Sequence, residues 1–395
     1  MNILTSPWFL NQSSNHAEPE VESKIVLRFN AKNQSVDMSC AGKIEVSYTE
    51  NGEAKTDSYA DLVATTVAIP CDANTDVVIK PVEGGSITEI SLSSKNNLTS
   101  ATINNTSLIV LDCSTCAALT NLDLSANTAL TELNCAYCYA LTSLDLSANT
   151  ALTKLNCNTC YALTSLDLST NTALTQLKCS DCYELTNLDL STNTALEELS
   201  CGSCYAMTSL DLSANTALTK LSCNSCYALT NLDLSANTAL TELTCSFCAA
   251  LTSLDLSANT ALIKFSCNGC YALTNLDLSA NTALEELNCG SCYALTSLDL
   301  SANTALTKLT CNTCHALTNL DLSANTALTQ LACGNCKKIE SIYYPATDGI
   351  VSTAISGLIT SADADDGTVY TDSQGAYYST IETAANNKGW TIEQL

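Results

Sequence analysis

The sequence predicts a β-rich solenoid, and three observations carry that prediction. A 22-residue unit recurs without a break, marked by Leu119, Leu141, Leu163, Leu185, Met207, Leu229, Leu251, Leu273, Leu295 and Leu317. Each unit divides into two 11-residue halves on one apolar skeleton, as in LTNLDLSANTA (119–129) and LTELNCAYCYA (130–140). Apolar side chains fall at positions 1, 4 and 6 of both halves, so the x-L-x-L-x stretch alternates inward and outward as a strand does. Finally, no proline lies between Pro81 and Pro345, as expected where backbone amides must join ladders between coils. Position 9 is Asn in one half and Cys in the other, which we call the Asn half and the Cys half.

A coil of this kind cannot bury its Leu face alone, so its stability must come from neighbours stacked about 4.8 Å away. The skeleton L-x-x-L-x-L-x-x-N, with Cys admitted at the last place, resembles the leucine-rich-repeat signature over roughly residues 87–349. The resemblance implies a leucine-rich-repeat solenoid of about eleven 22-residue coils. The unit length and the phrase LDLSANTALT are most similar to the short repeats of bacterial surface proteins and phage particle appendages. One departure stands out: both halves carry a strand-like skeleton, which predicts a flattened solenoid with a parallel sheet or extended ladder on each broad side.

The flanks read differently. Residues 1–22 form an apolar plug, ILTSPWFL, on a polar tether, and residues 3–10 could dock on a virion or surface protein. Residues 23–86 alternate as KIVLRF, KIEVSYTE and TDVVIKP between Asn, Gly and Pro turns, the pattern of a small antiparallel β domain abutting the first coil. The solenoid with its degenerate end coils covers 87–349, and 350–395 read as an α/β cap. In that cap VSTAISGLITSA and AYYSTIETAANNKG are helical, while GTVYTD and WTIEQL are strands.

Charge narrows the partners. With 15 basic against 40 acidic residues the formal charge is -25 and no basic cluster exists, which excludes nucleic-acid binding. No apolar run is long enough to span a membrane, and the first twenty residues lack the basic start and apolar core of a secretory signal. The expected location is a phage virion, with a bacterial cell surface as the alternative and a reducing cytoplasm as the place of synthesis.

Of 24 cysteines, 22 lie in C-x-x-C pairs from Cys113 and Cys116 to Cys333 and Cys336. Cys113-x2-Cys116-x18-Cys135-x2-Cys138 fits a zinc pattern, but the repeat register places both members of each pair at inward positions. Buried free thiols donating to carbonyls are therefore expected, ahead of disulfides within a pair or metal. The Asn row, Asn127 to Asn325, is its polar counterpart and is assigned to structure.

Outward positions supply the candidate sites. Asp123, Asp145, Asp167, Asp189, Asp211, Asp233, Asp255, Asp277, Asp299 and Asp321 should form one acidic stripe, either bonded to the adjacent Ser or Asn or able to take Ca²⁺ or a cationic surface. On the opposite face Glu132, Lys154, Gln176, Glu198, Lys220, Glu242, Lys264, Glu286, Lys308 and Gln330 mostly alternate in sign and should neutralise one another. Variation concentrates between the two Cys of each pair, as in Ala136-Tyr137, Ser180-Asp181, Ser246-Phe247 and Asn268-Gly269. Beside that corner runs a row of Tyr139, Tyr161, Tyr183, Tyr205, Tyr227, Tyr271 and Tyr293, interrupted by Ala249 and His315. Stacked tyrosines can bind protein or glycan, or can serve structure alone.

Catalysis has little support: the only histidines are His16 and His315, and no Gly-rich phosphate loop or nucleophile with a base is present. The function expected from these residues is a non-enzymatic recognition or adhesion module contacting protein or glycan through its long faces, without a cofactor. A rigid spacer or decoration protein is the alternative, and metal binding through the C-x-x-C ladder is a third reading.

Overall fold

The computed structural model describes residues 24–344, 368–371 and 378–394. The plug at residues 3–10, His16 and the helix expected over VSTAISGLITSA lie outside the described residues.

The chain opens with β1 (Lys24–Phe29), β2 (Gln34–Glu50), β3 (Glu53–Ala60), β4 (Thr65–Ile69), β5 (Asp76–Ser91) and β6 (Leu98–Asn104). Strict alternation makes one face of these strands apolar. Ile25, Leu27 and Phe29 of β1 face inward with Ile44 and Val46 of β2 and Val77 and Ile79 of β5, all fully buried or nearly so. β5 pairs antiparallel with both β1 and β2. It continues past Pro81, where the sequence reading ended the strand, through a register shift opposite Gly42. A side chain at Gly85 would meet the carbonyl of Lys43 at 2.4 Å, so the close crossing of the two strands requires glycine there.

β5 also starts the solenoid. Its last residues, Glu89–Ser91, pair in parallel with β7 (Val110–Asp112), and β7 pairs with β9 (Glu132–Asn134). From there a three-residue strand in every Cys half extends the same parallel ladder to Gln330–Ala332. The β domain and the coils thus share one continuous sheet. Because the degenerate half-unit ITEISLSSKNN forms a full rung, the ladder has about twelve turns, one more than the sequence reading.

The expectation of a sheet or ladder on both broad sides needs correction. Among the described residues, Asn halves form strands only at β8 (Asn121–Asp123), which pairs with β6, and at Asn319–Asp321, which pairs with Ser341–Tyr344. Between these ends the Asn halves are extended without strand pairing. The reason lies at position 8. In Cys halves this residue is left-handed, from Thr115 (φ 59) and Tyr137 (φ 62) to Thr313 (φ 64) and Asn335 (φ 61). That conformation turns its amide along the array, so that Tyr137 N–H reaches the Asn158 carbonyl at 2.8 Å and Phe247 N–H reaches Asn268 at 2.7 Å. The corresponding residue of the Asn half, Ala or at Thr170 and Thr192 threonine, is not left-handed, and the neighbouring Ser amide bonds to Asp of its own coil instead.

The C-terminal strands Thr368–Thr371 and Thr391–Gln394 add to Ser341–Tyr344 in parallel register, extending the Asn side. Helix Tyr378–Lys388 ends at Gly389, whose φ of 79° suits the left-handed residue after a helix.

Candidate functional site

The interior of the array is two polar ladders set in leucine. In the Asn row Asn127 Nδ2 donates to the Asn105 carbonyl, and from Asn149 onward each amide Nδ2 donates to two carbonyls of the preceding coil. Asn149 bonds Leu124 at 3.1 Å and Asn127 at 2.9 Å, and the same pair of bonds repeats to Asn325. The Oδ1 atoms of this row are buried without a partner. In the Cys row the second thiol of each pair takes the place of the amide: Cys138 Sγ donates to the Cys113 carbonyl at 3.2 Å, as Cys336 does to Cys311 at 3.1 Å. Position 9 thus reaches back to the position 6 carbonyl in both halves, with two bonds from Asn and one from Cys.

All 24 cysteines are buried, and none is joined in a disulfide. Burial pushes the Cys116 and Cys226 thiols up to about 12 and raises Cys201 well above the usual range. The neighbouring Cys160 thiol, whose Sγ donates to the Cys135 carbonyl at 3.2 Å, and burial together raise Cys135 well above the usual thiol range. Protonated, inward thiols are poor nucleophiles. Among the described residues no three His, Cys, Asp or Glu side chains converge as metal ligands.

The Asp stripe is engaged locally. In each Asn half the Asp Oδ1 accepts the amide of the Ser two residues on, at 2.9 Å for Asp145, Asp167 and Asp211. The Ser amide and then the Ser hydroxyl hold these carboxyls below the usual range, outweighing repulsion from neighbours such as Asp145 and Asp189 on Asp167. On the sheet face the alternating row pairs as its signs require: Lys154 with Glu132 at 2.7 Å, Lys264 with Glu286 at 3.2 Å, and Lys220 between Glu198 and Glu242 at 3.9 Å from each. These are exposed pairs and contribute little. A shallow hollow of about 310 Å³ lies on this face over Glu242, Lys264, Phe265, Glu286 and Lys308.

The tyrosine row is the most ordered exposed feature. Tyr139, Tyr161, Tyr183, Tyr205 and Tyr227 stack face to face with centroids 4.7–5.3 Å apart. Tyr271 and Tyr293 resume the stack at 4.9 Å. His315, which the sequence reading took as an interruption, continues it at 5.2 Å from Tyr293, with Nδ1 held 3.1 Å from the Asn335 carbonyl. Ala249 is therefore the one break between Tyr139 and His315. The rings are not buried by the stack, for Tyr139, Tyr205 and Tyr293 remain 41–43% exposed. Burial and the flanking Tyr161 and Asp181 push the Tyr183 hydroxyl up to about 12. At the head of the row Tyr137, from the variable corner, packs its edge on Tyr139 at 6.4 Å.

In fold, the array is a leucine-rich-repeat solenoid. The 22-residue register, the inward Leu skeleton, the Asn ladder and the parallel strand in each coil carry that assignment. No protein-family model and no curated protein matches the chain. Among solved structures it is similar to the functional domain of InlJ from Listeria monocytogenes, described as including a cysteine ladder, at 28% identity over 72% of this chain and 74% of that one, with a TM-score of 0.45. It is also similar to the internalin InlF of Listeria monocytogenes strain 4b F2365, at 19% identity over 63% of this chain and 82% of that one (TM-score 0.36). A third similar structure is TLR13 in complex with ssRNA13, at 14% identity over 72% of this chain and 54% of that one (TM-score 0.38). Among the described residues no helix is long and apolar enough to cross a membrane.

Proposed function

We propose that this leucine-rich-repeat array is a non-enzymatic recognition module, and that its contact edge is the tyrosine row with the variable corner beside it. The observation that carries this reading is a run of five face-stacked tyrosines along one edge, of which Tyr139, Tyr161, Tyr205 and Tyr227 stay exposed and Tyr183 is half-buried. Rigid aromatic faces offer large contact area at small entropic cost, because few side-chain torsions need freezing on binding. The residues that differ from coil to coil stand next to this row, whereas the inward Leu, Asn and Cys rows hardly change. Protein or glycan displayed on a bacterial surface or a phage particle is the partner class we favour. No acid-base pair is set in a cleft, and the thiols are spent on the ladder.

The test is binding of the labelled protein to intact cells and to density-purified particles from the native source, compared with Tyr161→Ala/Tyr183→Ala/Tyr205→Ala. Loss of at least tenfold in apparent affinity is expected. Unchanged binding by a folded triple variant would remove the recognition reading and leave the array as a spacer between its end domains.

A further inference from the structure

The break in the stack is itself shaped for one planar ring. Tyr227 and Tyr271 stand two coils apart, about 10 Å at the strand spacing, with Ala249 at the position whose side chain would fill the gap. Face-stacked rings in this row sit 4.7–5.3 Å apart, so the gap takes one ring and only one. Both walls are open to solvent: Tyr227 is the most exposed tyrosine of the row at 49%, and Tyr271 is 40% exposed.

The corner residue of the same coil is apolar, at the position from which Tyr137 packs its edge on Tyr139. Phe247 replaces the small or polar residue usual at position 8 of the same coil, and its ring lies where a side chain on Gly269 would project, 2.5 Å from that Cβ position. Gly269 is the only glycine at position 8, so its lack of a side chain is what makes room for Phe247. Three departures from the repeat, Phe247, Ala249 and Gly269, thus fall within two adjacent coils. An array of near-identical units offers many other places for such changes.

We infer that the slot between Tyr227 and Tyr271 receives an aromatic side chain carried on a basic segment of a protein partner. The inference deepens the proposed recognition reading and rests on it for the nature of the partner. The edge that enters the slot meets Ala249, which offers no side-chain hydrogen bond, so sugar hydroxyls would lose their bonds to water there without replacement, whereas an aromatic C–H edge has none to lose. A nucleobase would bring phosphates toward a chain of formal charge -25, whereas flanking Lys or Arg is attracted. Insertion completes an unbroken stack from Tyr139 to His315.

The experiment uses the full chain and a blocked Lys-Trp-Lys tripeptide, followed by the indole proton resonances of the peptide. Upfield shifts from sandwiching between two rings are expected for the wild type, with none for the backbone protons of Lys-Ala-Lys. Ala249→Tyr, which restores the residue found at this position in seven other coils, should fold and abolish the shift. Ala249→Gly should retain it, and Tyr227→Ala or Tyr271→Ala should weaken binding about tenfold. Unaltered binding by Ala249→Tyr, or tighter binding of methyl β-glucoside than of the peptide, would overturn the assignment. The triple variant of the uninterrupted run separates the two readings. If only that variant loses the peptide, the slot fails and the row stands; if only Ala249→Tyr loses it while the triple variant still binds cells normally, the row fails and the slot stands.

Discussion

The two sides of each coil are built on one skeleton yet are held by different bonds. On the Cys side the backbone joins coil to coil through a short strand and a left-handed corner, and the inward side chain adds a single weak thiol bond. On the Asn side, away from the ends, strand pairing is absent and the inward amide supplies two bonds to the coil before it. A strong side-chain ladder thus stands where the backbone ladder is missing, and a weak one suffices where it is present.

That contrast can be broken outright by deletion. Removing residues 196–217, one whole coil, keeps like rows in register and should leave a cooperative fold. Removing 196–206, a single half, stacks Asn halves on Cys halves over the remaining coils and should abolish cooperative thermal unfolding, as circular dichroism would show.

Single substitutions should rank the two ladders. Asn215→Ala removes the side-chain donor from the Leu190 and Asn193 carbonyls, which keep the Asn193 and Leu196 amides, so at roughly 1 kcal/mol for each lost bond the loss should be about 2 kcal/mol in chemical denaturation. Cys226→Ala deletes one thiol bond to the Cys201 carbonyl and a small apolar group, so about 1 kcal/mol is expected. Equal losses would contradict the division of labour between the sides.

The corner itself is strained in the opposite sense. Thr159 is β-branched at φ 62°, so Thr159→Gly should stabilise by about 1 kcal/mol, whereas Gly269→Ala should destabilise through contact with Phe247.

The smallest effect is a pH dependence. The Asp carboxyls of the stripe are held below their unfolded values, so their contribution is present above about pH 4 and fades as pH falls through the folded values. Asp167→Asn and Asp167→Ala should both remove this residue's share of the acid limb in thermal melts, with Asp167→Asn costing less stability at neutral pH because it keeps an acceptor for the Ser169 amide. At the other extreme the raised Tyr183 hydroxyl should cost stability as pH rises from 10 to about 12.

Much of the architecture was legible because inward positions repeat. Leu at positions 1, 4 and 6 and the alternation of Asn with Cys place both ladders without reference to coordinates, and the alternating signs of Glu198, Lys220 and Glu242 foretell their pairing. The asymmetry of the two sides was not legible, since both halves share one periodicity and the left-handed conformation of position 8 in the Cys half is not marked by one residue type. A row of Gly, Asn and Asp would have signalled a left-handed corner; here Asp181, Gly269 and Asn335 hint at it, but Thr115, Tyr137 and Phe247 hide it. The tyrosine row was visible as a stripe, whereas the ring role of His315 and the slot at Ala249 depend on spacing in three dimensions.

The side-chain bonds of both ladders point one way. Asn149 reaches back to Asn127 and Leu124, and Cys160 reaches back to Cys135, so every acceptor precedes its donor in the chain. During synthesis from the N-terminus, the β domain and first coil are made before the later coils that bond to them, and each new coil meets a finished template. The array is therefore polar along its length, each coil sending side-chain donors back to the coil made before it and corner amides such as Tyr137 N–H forward to the coil made after it.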